Sequence, residues 1–191
     1  MSKTIYINYY GAITEQNVNV FMRSVPHLIN SEKADILYLV LSSSGGNVVA
    51  GLTMYNFILA LKNQVEIIVH NIGSVDSIAL VPFMAGDKRY SNPHTSFLLH
   101  EMTWTLNSAT YTDAQLLDYI QRNKINSQKT SKIISSKSSL TEKQVINLYK
   151  KGESKDETFA KNKELVHDVK ILEIPKDSFY YSLEFLAVPQ Y

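Results

Sequence analysis

Cysteine is absent from the 191-residue chain, which excludes disulfide bonds, thiolate metal ligands and a cysteine nucleophile. Any covalent nucleophile must therefore be an oxygen or a lysine amine. Histidine is scarce too, with five copies, and without thiolate partners five histidines give little support to a metal site. We expect neither a metal nor a cofactor.

The chain also lacks an excess of either charge, because it has 19 basic and 18 acidic side chains and a formal net charge of +1. A nearly neutral chain has no overall field to draw it to nucleic acid or to anionic lipid, so we expect neither as a partner. No window approaches the roughly 18 consecutive apolar residues of a membrane span, and the N-terminus lacks a signal-peptide pattern. The sequence therefore predicts a cytoplasmic protein without a membrane segment. Its length suits a single domain over residues 1–191.

Short apolar runs alternate with helical patterns over the first half of the chain. The runs typical of buried strands are Ile5–Tyr9, Ala34–Leu41, Val65–Val69 and Ser96–Leu99. Apolar residues at helical spacing follow Thr14, fill residues 50–61 and recur over residues 77–85. Pro26 is expected to kink or shorten the first of these helices. This βαβ order predicts an α/β fold with a parallel sheet.

The second half of the chain has fewer signals. Thr112 with Gln115 and Thr141 with Gln144 are capping-box pairs, each ahead of apolar residues. The first pair predicts a long helix toward Ser135. Residues 150–163 are charged and poorly periodic, so they give no clear prediction of an element.

Three motifs follow three of the predicted strands. A serine- and glycine-rich turn with Gly45 and Gly46 follows the second strand, Ser77 lies beyond the third, and His100 follows Ser96–Leu99. The carboxyl ends of strands are where active sites of open α/β sheets collect. A hydroxyl nucleophile, a base and backbone N–H donors for an oxyanion are the parts that acyl transfer requires. Together the motifs predict a serine hydrolase site.

Each motif alone also has a structural interpretation. The two glycines suit a tight strand-to-helix turn, and a serine ahead of an apolar helix suits an N-cap. A histidine at the end of an apolar strand is more often structural than catalytic. Ser74 is a second candidate nucleophile.

In this order and context the motifs resemble the Clp protease proteolytic subunit family, within the ClpP/crotonase fold. Residues 43–51 with Tyr55 are similar to the family's Asn-Ser-Pro-Gly-Gly…Ala-Gly…Tyr segment, and residues 73–86 to its nucleophile helix. Residues 88–100 resemble its Lys-Arg-Phe…Pro-Asn-Ser…His segment. The likeness covers residues 5–102 well, whereas the C-terminal half matches only in outline.

The resemblance implies stacked βαβ units, a long helix after the active-site histidine and a serine peptidase site. Ser77 would be the nucleophile and His100 the base. The N–H groups of Gly46 and Ile78 would form the oxyanion hole.

The family's third catalytic residue is an aspartate two residues before an aromatic or apolar position. That position falls on Glu157 if Phe159 is the anchor, and Asp156 is the adjacent alternative. Two departures stand out: Ser44 replaces the family's proline, and Asp76 precedes the nucleophile where the family has a small residue. An aspartate there could perturb the serine hydroxyl or cap the helix.

The resemblance also implies partners: a peptide or unfolded protein substrate, and a ring or other homo-oligomer with contacts along the helix after Thr112. The first strand begins almost at Lys3, so we expect no axial N-terminal segment, and docking to a Clp-type ATPase stays open. One alternative is a catalytically weak or inactive ClpP-like scaffold or regulatory subunit. Another is a crotonase-type acyl-CoA enzyme, against which Ser77 and His100 argue.

Overall fold

The computed structural model describes residues 2–103 and 110–185. This part of the chain is built on an eight-stranded sheet in which most strand pairs are parallel. Its strands are β1 (Thr4–Tyr10), β2 (Ile36–Ser43), β3 (Glu66–Asp76), β4 (Lys88–Ser91), β5 (Ser96–Leu98), β6 (Ser154–Asp156), β7 (Asp168–Val169) and β8 (Phe179–Ser182). The helices are α1 (Glu15–Glu32), α2 (Val48–Leu61), α3 (Leu80–Phe83), α4 (Asp113–Ser135), α5 (Glu142–Lys151) and α6 (Glu157–Asn162). The strand order is β6-β5-β3-β2-β1-β8, with β4 paired to β3 and β7. This confirms the predicted α/β class with a largely parallel sheet, consistent with the ClpP fold.

The helices begin where the sequence places their caps. Thr14 accepts a hydrogen bond from the Asn17 N–H at the start of α1, and capping boxes open α4 and α5 at Thr112 and Thr141. Each cap satisfies N–H groups that have no partner inside the helix. Helix α1 continues past Pro26 to Glu32, so the proline does not shorten it.

The sheet is buried on both faces near its centre. Side chains that alternate along β1 and β2, such as Ile5, Ile7 and Leu39, are fully buried in the main core with α1 and α2. Their neighbours in sequence, such as Tyr6 and Tyr38, face the other way into a smaller cluster. In the described part of the chain, no helix is long and apolar enough to cross a membrane.

Strand β3 has two successive partners on the same side. Its first half pairs with β4, from Ile68 opposite Lys88 to Asn71 opposite Ser91. Its last three residues pair with β5 instead, and Asp76 lies opposite Leu98. Strand β3 is therefore longer than the predicted Val65–Val69, because its end has a partner of its own. This pairing brings the segment before Ser77 alongside the segment before His100.

Candidate active site

Ser77 lies at the junction of a strand and a helix. Strand β3 ends at Asp76, and Ser77 opens a one-turn 3₁₀ helix, Ser77–Ala79, that leads into α3. The φ angle of Ser77 is 55°, in the left-handed region that residues other than glycine seldom occupy. Such strain on a strand-to-helix turn projects a serine hydroxyl outward, as in a nucleophile elbow. Ser77 is not the N-cap of this turn, because Asp76 holds that position.

Positions 45 and 46 require glycine because of the turn and because neighbouring atoms leave no room for a side chain. Their φ angles are +88° and +144°. A Cβ on Gly45 would lie 2.7 Å from the Ser77 Cβ and 2.8 Å from the Asp76 carbonyl oxygen. A Cβ on Gly46 would overlap the carbonyl oxygen of Ile13. The backbone of the glycine turn therefore lies directly against Ser77, which a side chain would prevent.

A short bridge to Ile13 holds this turn in place. The Ile13 N–H donates to the Gly45 carbonyl oxygen, and the Asn47 N–H donates to the Ile13 carbonyl oxygen, both at 2.8 Å. Neither bond uses the Gly46 N–H. The Ile78 N–H lies in the first turn of the helical segment, where N–H groups have no partner within the helix. The position of a Gly45 Cβ is 3.4 Å from this nitrogen. The glycine turn and the Ile78 N–H thus both lie beside Ser77.

His100 follows β5 and is half-buried. Its Nδ1 lies 2.7 Å from the Glu101 carbonyl oxygen. A carbonyl oxygen only accepts, so Nδ1 donates and Nε2 is left with its lone pair. This is the tautomer that a general base requires.

Ser77, Ile78 and His100 line one narrow cleft. Tyr149 lies on its wall, where its hydroxyl donates to Thr130 Oγ1 at 3.0 Å and burial raises its pKa to about 12. Among the described residues no hydrogen bond joins the Ser77 hydroxyl to His100. Such contacts often tighten only with substrate bound. The structure thus brings the predicted nucleophile, base and oxyanion donors to one site.

The predicted acid is not brought to the same place. Glu157 is the first residue of α6, and Asp156 caps that helix, accepting from the Phe159 N–H at 2.7 Å. In the antiparallel pair of β5 and β6, Asp156 lies opposite Ser96. His100 is four residues further on, about 13 Å at the rise of a strand. The described residues give no hydrogen bond between His100 and either carboxylate.

The same register puts a glycine near His100. Leu98 lies opposite Ser154, and a Cβ on Gly152 would contact the His100 Cβ at 3.8 Å. The sequence pattern favoured Glu157 because Phe159 offered an aromatic anchor. The pairing of β6 with β5, which the local sequence does not reveal, places Gly152 there instead.

Asp76 is a carboxylate that the sequence noted only as a departure from the family pattern. Its side chain makes no cap hydrogen bond to the turn that follows. Instead its Oδ1 accepts from the Leu98 N–H at 3.0 Å, across to β5. Burial raises the pKa of Asp76, while hydrogen bonds from Ser74 and Leu98 and the charge of His100 act in the opposite direction.

Metal-binding groups are not assembled at this cleft or elsewhere in residues 2–103 and 110–185, where no three His, Asp or Glu side chains could hold an ion together. The site that the structure presents is built from backbone donors, a hydroxyl and an imidazole.

Known proteins are similar in sequence to part of this chain. The ATP-dependent Clp protease proteolytic subunit of Carsonella ruddii is 33% identical over 101 residues, which cover 52% of this chain and 50% of that protein. The ATP-dependent Clp protease proteolytic subunit 2 of Pseudomonas aeruginosa is 36% identical over 77 residues, covering 39% of this chain and 37% of that protein. The chain thus spans half or less of the length of these relatives. The family model described as Clp protease matches residues 1–169, and the chain therefore belongs to the Clp protease family.

Proposed function

We propose that this protein is a serine peptidase that hydrolyses peptide bonds through an acyl-enzyme. The observation that carries the proposal is the left-handed backbone of Ser77, which lies between the glycine turn and His100 at one cleft. A strained serine beside free backbone donors and a base is what acyl transfer uses. Membership of the Clp protease family supports the same reaction.

In this mechanism His100 Nε2 takes the proton of the Ser77 hydroxyl as Oγ bonds to the peptide carbonyl carbon. The carbonyl oxygen becomes an oxyanion that accepts from the Gly46 and Ile78 N–H groups, each worth about 3 kcal/mol of transition-state stabilisation. The imidazolium then protonates the leaving amine as the C–N bond breaks. His100 then takes a proton from water as the water oxygen bonds to the acyl carbon. The imidazolium returns that proton to Ser77 Oγ as the ester C–O bond breaks, and the carboxylic acid product leaves.

Two partners belong to the proposal. Both relatives are named as subunits of an ATP-dependent protease, so we propose peptide or unfolded protein substrates and leave docking of an ATPase to experiment. We also propose a homo-oligomer, because the exposed part of α4 carries apolar side chains that a second copy could cover. These are Leu116, Leu117, Ile120 and Ile125.

Labelling with a fluorophosphonate probe tests the reaction. Mass mapping of the folded protein is expected to find the probe on Ser77. Ser77→Ala should abolish labelling, whereas Ser136→Ala, an exposed serine beyond α4, should leave it unchanged. A label that persists in Ser77→Ala would assign the nucleophile elsewhere and contradict the proposal.

A non-catalytic scaffold is the second candidate, and the glycine opposite His100 favours it, since the usual third carboxylate is missing there. The same labelling experiment separates the two functions. A folded, assembled protein that takes no label on Ser77 at any pH would establish the scaffold and remove the peptidase.

A further inference from the structure

Asp76 is the last residue of β3, the strand that leads to Ser77, and it pairs with β5, the strand that leads to His100. It immediately precedes Ser77, and it is paired across the sheet with Leu98. The Leu98 N–H donates to its Oδ1 at 3.0 Å, which fixes the carboxylate toward β5. His100 is two residues beyond Leu98, and burial alternates from Phe97 to His100, with Leu98 and His100 both on the half-buried side. Asp76 is thus directed to the face of the sheet edge from which His100 projects.

The other carboxylates near this edge have different partners. Asp156 accepts from the Phe159 N–H, and Glu153 pairs with Lys155 at 2.7 Å. The Glu101 side chain is exposed, and it is the backbone carbonyl of Glu101 that accepts from His100. Tyr149, another titratable group on the cleft wall, is neutral near pH 7, and burial raises its pKa further. Asp76 also accepts hydrogen bonds, from Leu98 and Ser74, but its pairing with Leu98 places it on the face from which His100 projects.

The electrostatics agree with this placement. Burial raises the pKa of Asp76, and the positive charge of His100 is among the influences that lower it. An attraction between two charges is mutual, so a charged Asp76 carboxylate favours positive charge on the His100 ring. The carboxylate is partly buried, where such an attraction is less screened than at an exposed site.

We propose that Asp76 supplies the negative charge that stabilises the His100 imidazolium during catalysis, in place of the aspartate found elsewhere in the family. The inference rests on the proposed peptidase function. In a serine triad one carboxylate both fixes the histidine tautomer and stabilises the imidazolium. Here the two tasks are divided: the Glu101 carbonyl fixes the tautomer, and Asp76 provides the charge. Asp76 acts through His100, so it is a positioning residue.

Asp76→Asn is the discriminating variant, because asparagine retains an oxygen that can accept from the Leu98 N–H while the negative charge is removed. The second-order rate constant for fluorophosphonate labelling of Ser77 is expected to fall by about 10- to 100-fold. The acidic limb of its pH profile is expected to move to lower pH. The sign follows because an imidazolium without its anion loses its proton more readily, so the base stays active at lower pH.

Two further variants make the test specific. Asp76→Glu keeps the charge and should keep the acidic limb near its wild-type position even if the rate falls. Gly152→Asp, added to Asp76→Asn, places a new carboxylate beside His100 and should recover part of the lost rate. Aspartate tolerates the left-handed backbone of Gly152, whose φ is +60°.

The outcomes separate this inference from the proposed function. If the wild-type protein is labelled on Ser77 and Asp76→Asn has the same labelling rate and pH profile, the role of Asp76 is refuted and the peptidase proposal stands. A slower Asp76→Asn protein with an unmoved acidic limb shows a structural role only and also refutes the inference. A wild-type protein that takes no label at any pH removes both.

Discussion

Gly45 shows how one missing side chain shapes this site. It accommodates a positive φ and lets the backbone pass within contact distance of Ser77. The left-handed backbone of Ser77 and the missing side chain of Gly45 let the two residues pack against each other. The structural interpretation of the glycine pair as a tight turn is therefore correct but incomplete, because the turn also makes room for Ser77.

Gly45→Ala should remove Ser77 labelling and lower the free energy of unfolding. The new methyl group would lie 2.7 Å from the Ser77 Cβ and 2.8 Å from the Asp76 carbonyl oxygen, so Ser77 must move. This clash adds to the cost of the left-handed backbone for alanine, about 1–2 kcal/mol. The labelling rate and the free energy of unfolding in urea measure the two effects. Gly11→Ala is the matched control: φ is +151° there and the nearest contact is the flexible Phe185 side chain at 3.1 Å. Equal loss of labelling in both variants would show that global strain, not contact with Ser77, is responsible.

Among the elements, β3 connects the site to a polar cluster on the other part of the strand. His70 is fully buried there. Its Nε2 lies 3.1 Å from the Lys170 carbonyl oxygen and therefore donates to it, so Nδ1 accepts from the Tyr38 hydroxyl at 2.7 Å. These two bonds hold a neutral imidazole and join β2 and β3 to the segment that follows β7.

This neutral histidine should make the fold sensitive to mild acid. Burial lowers the pKa of His70 to about 4, although the hydrogen bond to the Lys170 carbonyl acts to raise this pKa. An unfolded histidine titrates near pH 6.5. Between about pH 6.5 and 4 the unfolded state therefore binds a proton that the folded state does not, and stability decreases as the pH is lowered. The loss between pH 7 and pH 5 is expected to be about 2 kcal/mol.

Urea unfolding at pH 7 and at pH 5 measures this loss of stability. His70→Asn should show a smaller loss, and His27→Gln, at an exposed position of α1, should match the wild type. A wild-type protein equally stable at both pH values would contradict the assignment.

The elements that the sequence predicted are those whose signals are local. Caps at Thr14, Thr112 and Thr141 and the continuous apolar run of β2 correctly located helices and a buried strand. Strands β4, β6 and β7 have two to four residues each, and partners elsewhere in the chain stabilise them. Arg89 illustrates this: its guanidinium is buried in β4 and donates to carbonyl oxygens of Leu165, Glu164 and Lys137, among others.

The same distinction divides the candidate site. Ser77, His100, Gly46 and Ile78 follow predicted strands, so their sequence context located them at one edge of the sheet. The expected acid depended on the register of β6 against β5, which the charged residues 150–163 do not encode in any periodic pattern. Only the folded chain reveals Gly152 beside His100, and only the pairing of β3 with β5 reveals how Asp76 reaches that edge.

At the scale of the whole molecule, α4 extends away from the core. Its last turns are packed, with Thr130, Ser131 and Ile134 buried, whereas Leu117 and Ile120 nearer its start are 65% and 64% exposed. Apolar side chains clustered on an exposed helix are typical of an interaction surface. The helix also contacts the site, because the Asn123 side chain donates to the carbonyl oxygen of Met102, a residue that lines the cleft.

Replacing both Leu117 and Ile120 with glutamate should dissociate the proposed homo-oligomer, since burying two carboxylates against an apolar partner is costly. Light scattering after size exclusion should give a lower mass than the wild type, with an unchanged circular dichroism spectrum. Gln121→Glu adds a charge to the same helix without removing an apolar group and should assemble normally.

A wild-type protein that is monomeric at micromolar concentration would contradict the oligomer itself. Labelling of Ser77 in the dissociated variant then measures what assembly contributes to the cleft. Because Asn123 joins α4 to Met102 beside His100, we expect the rate to fall as the helix loses its partner. An unchanged rate would show instead that the site is complete within one chain.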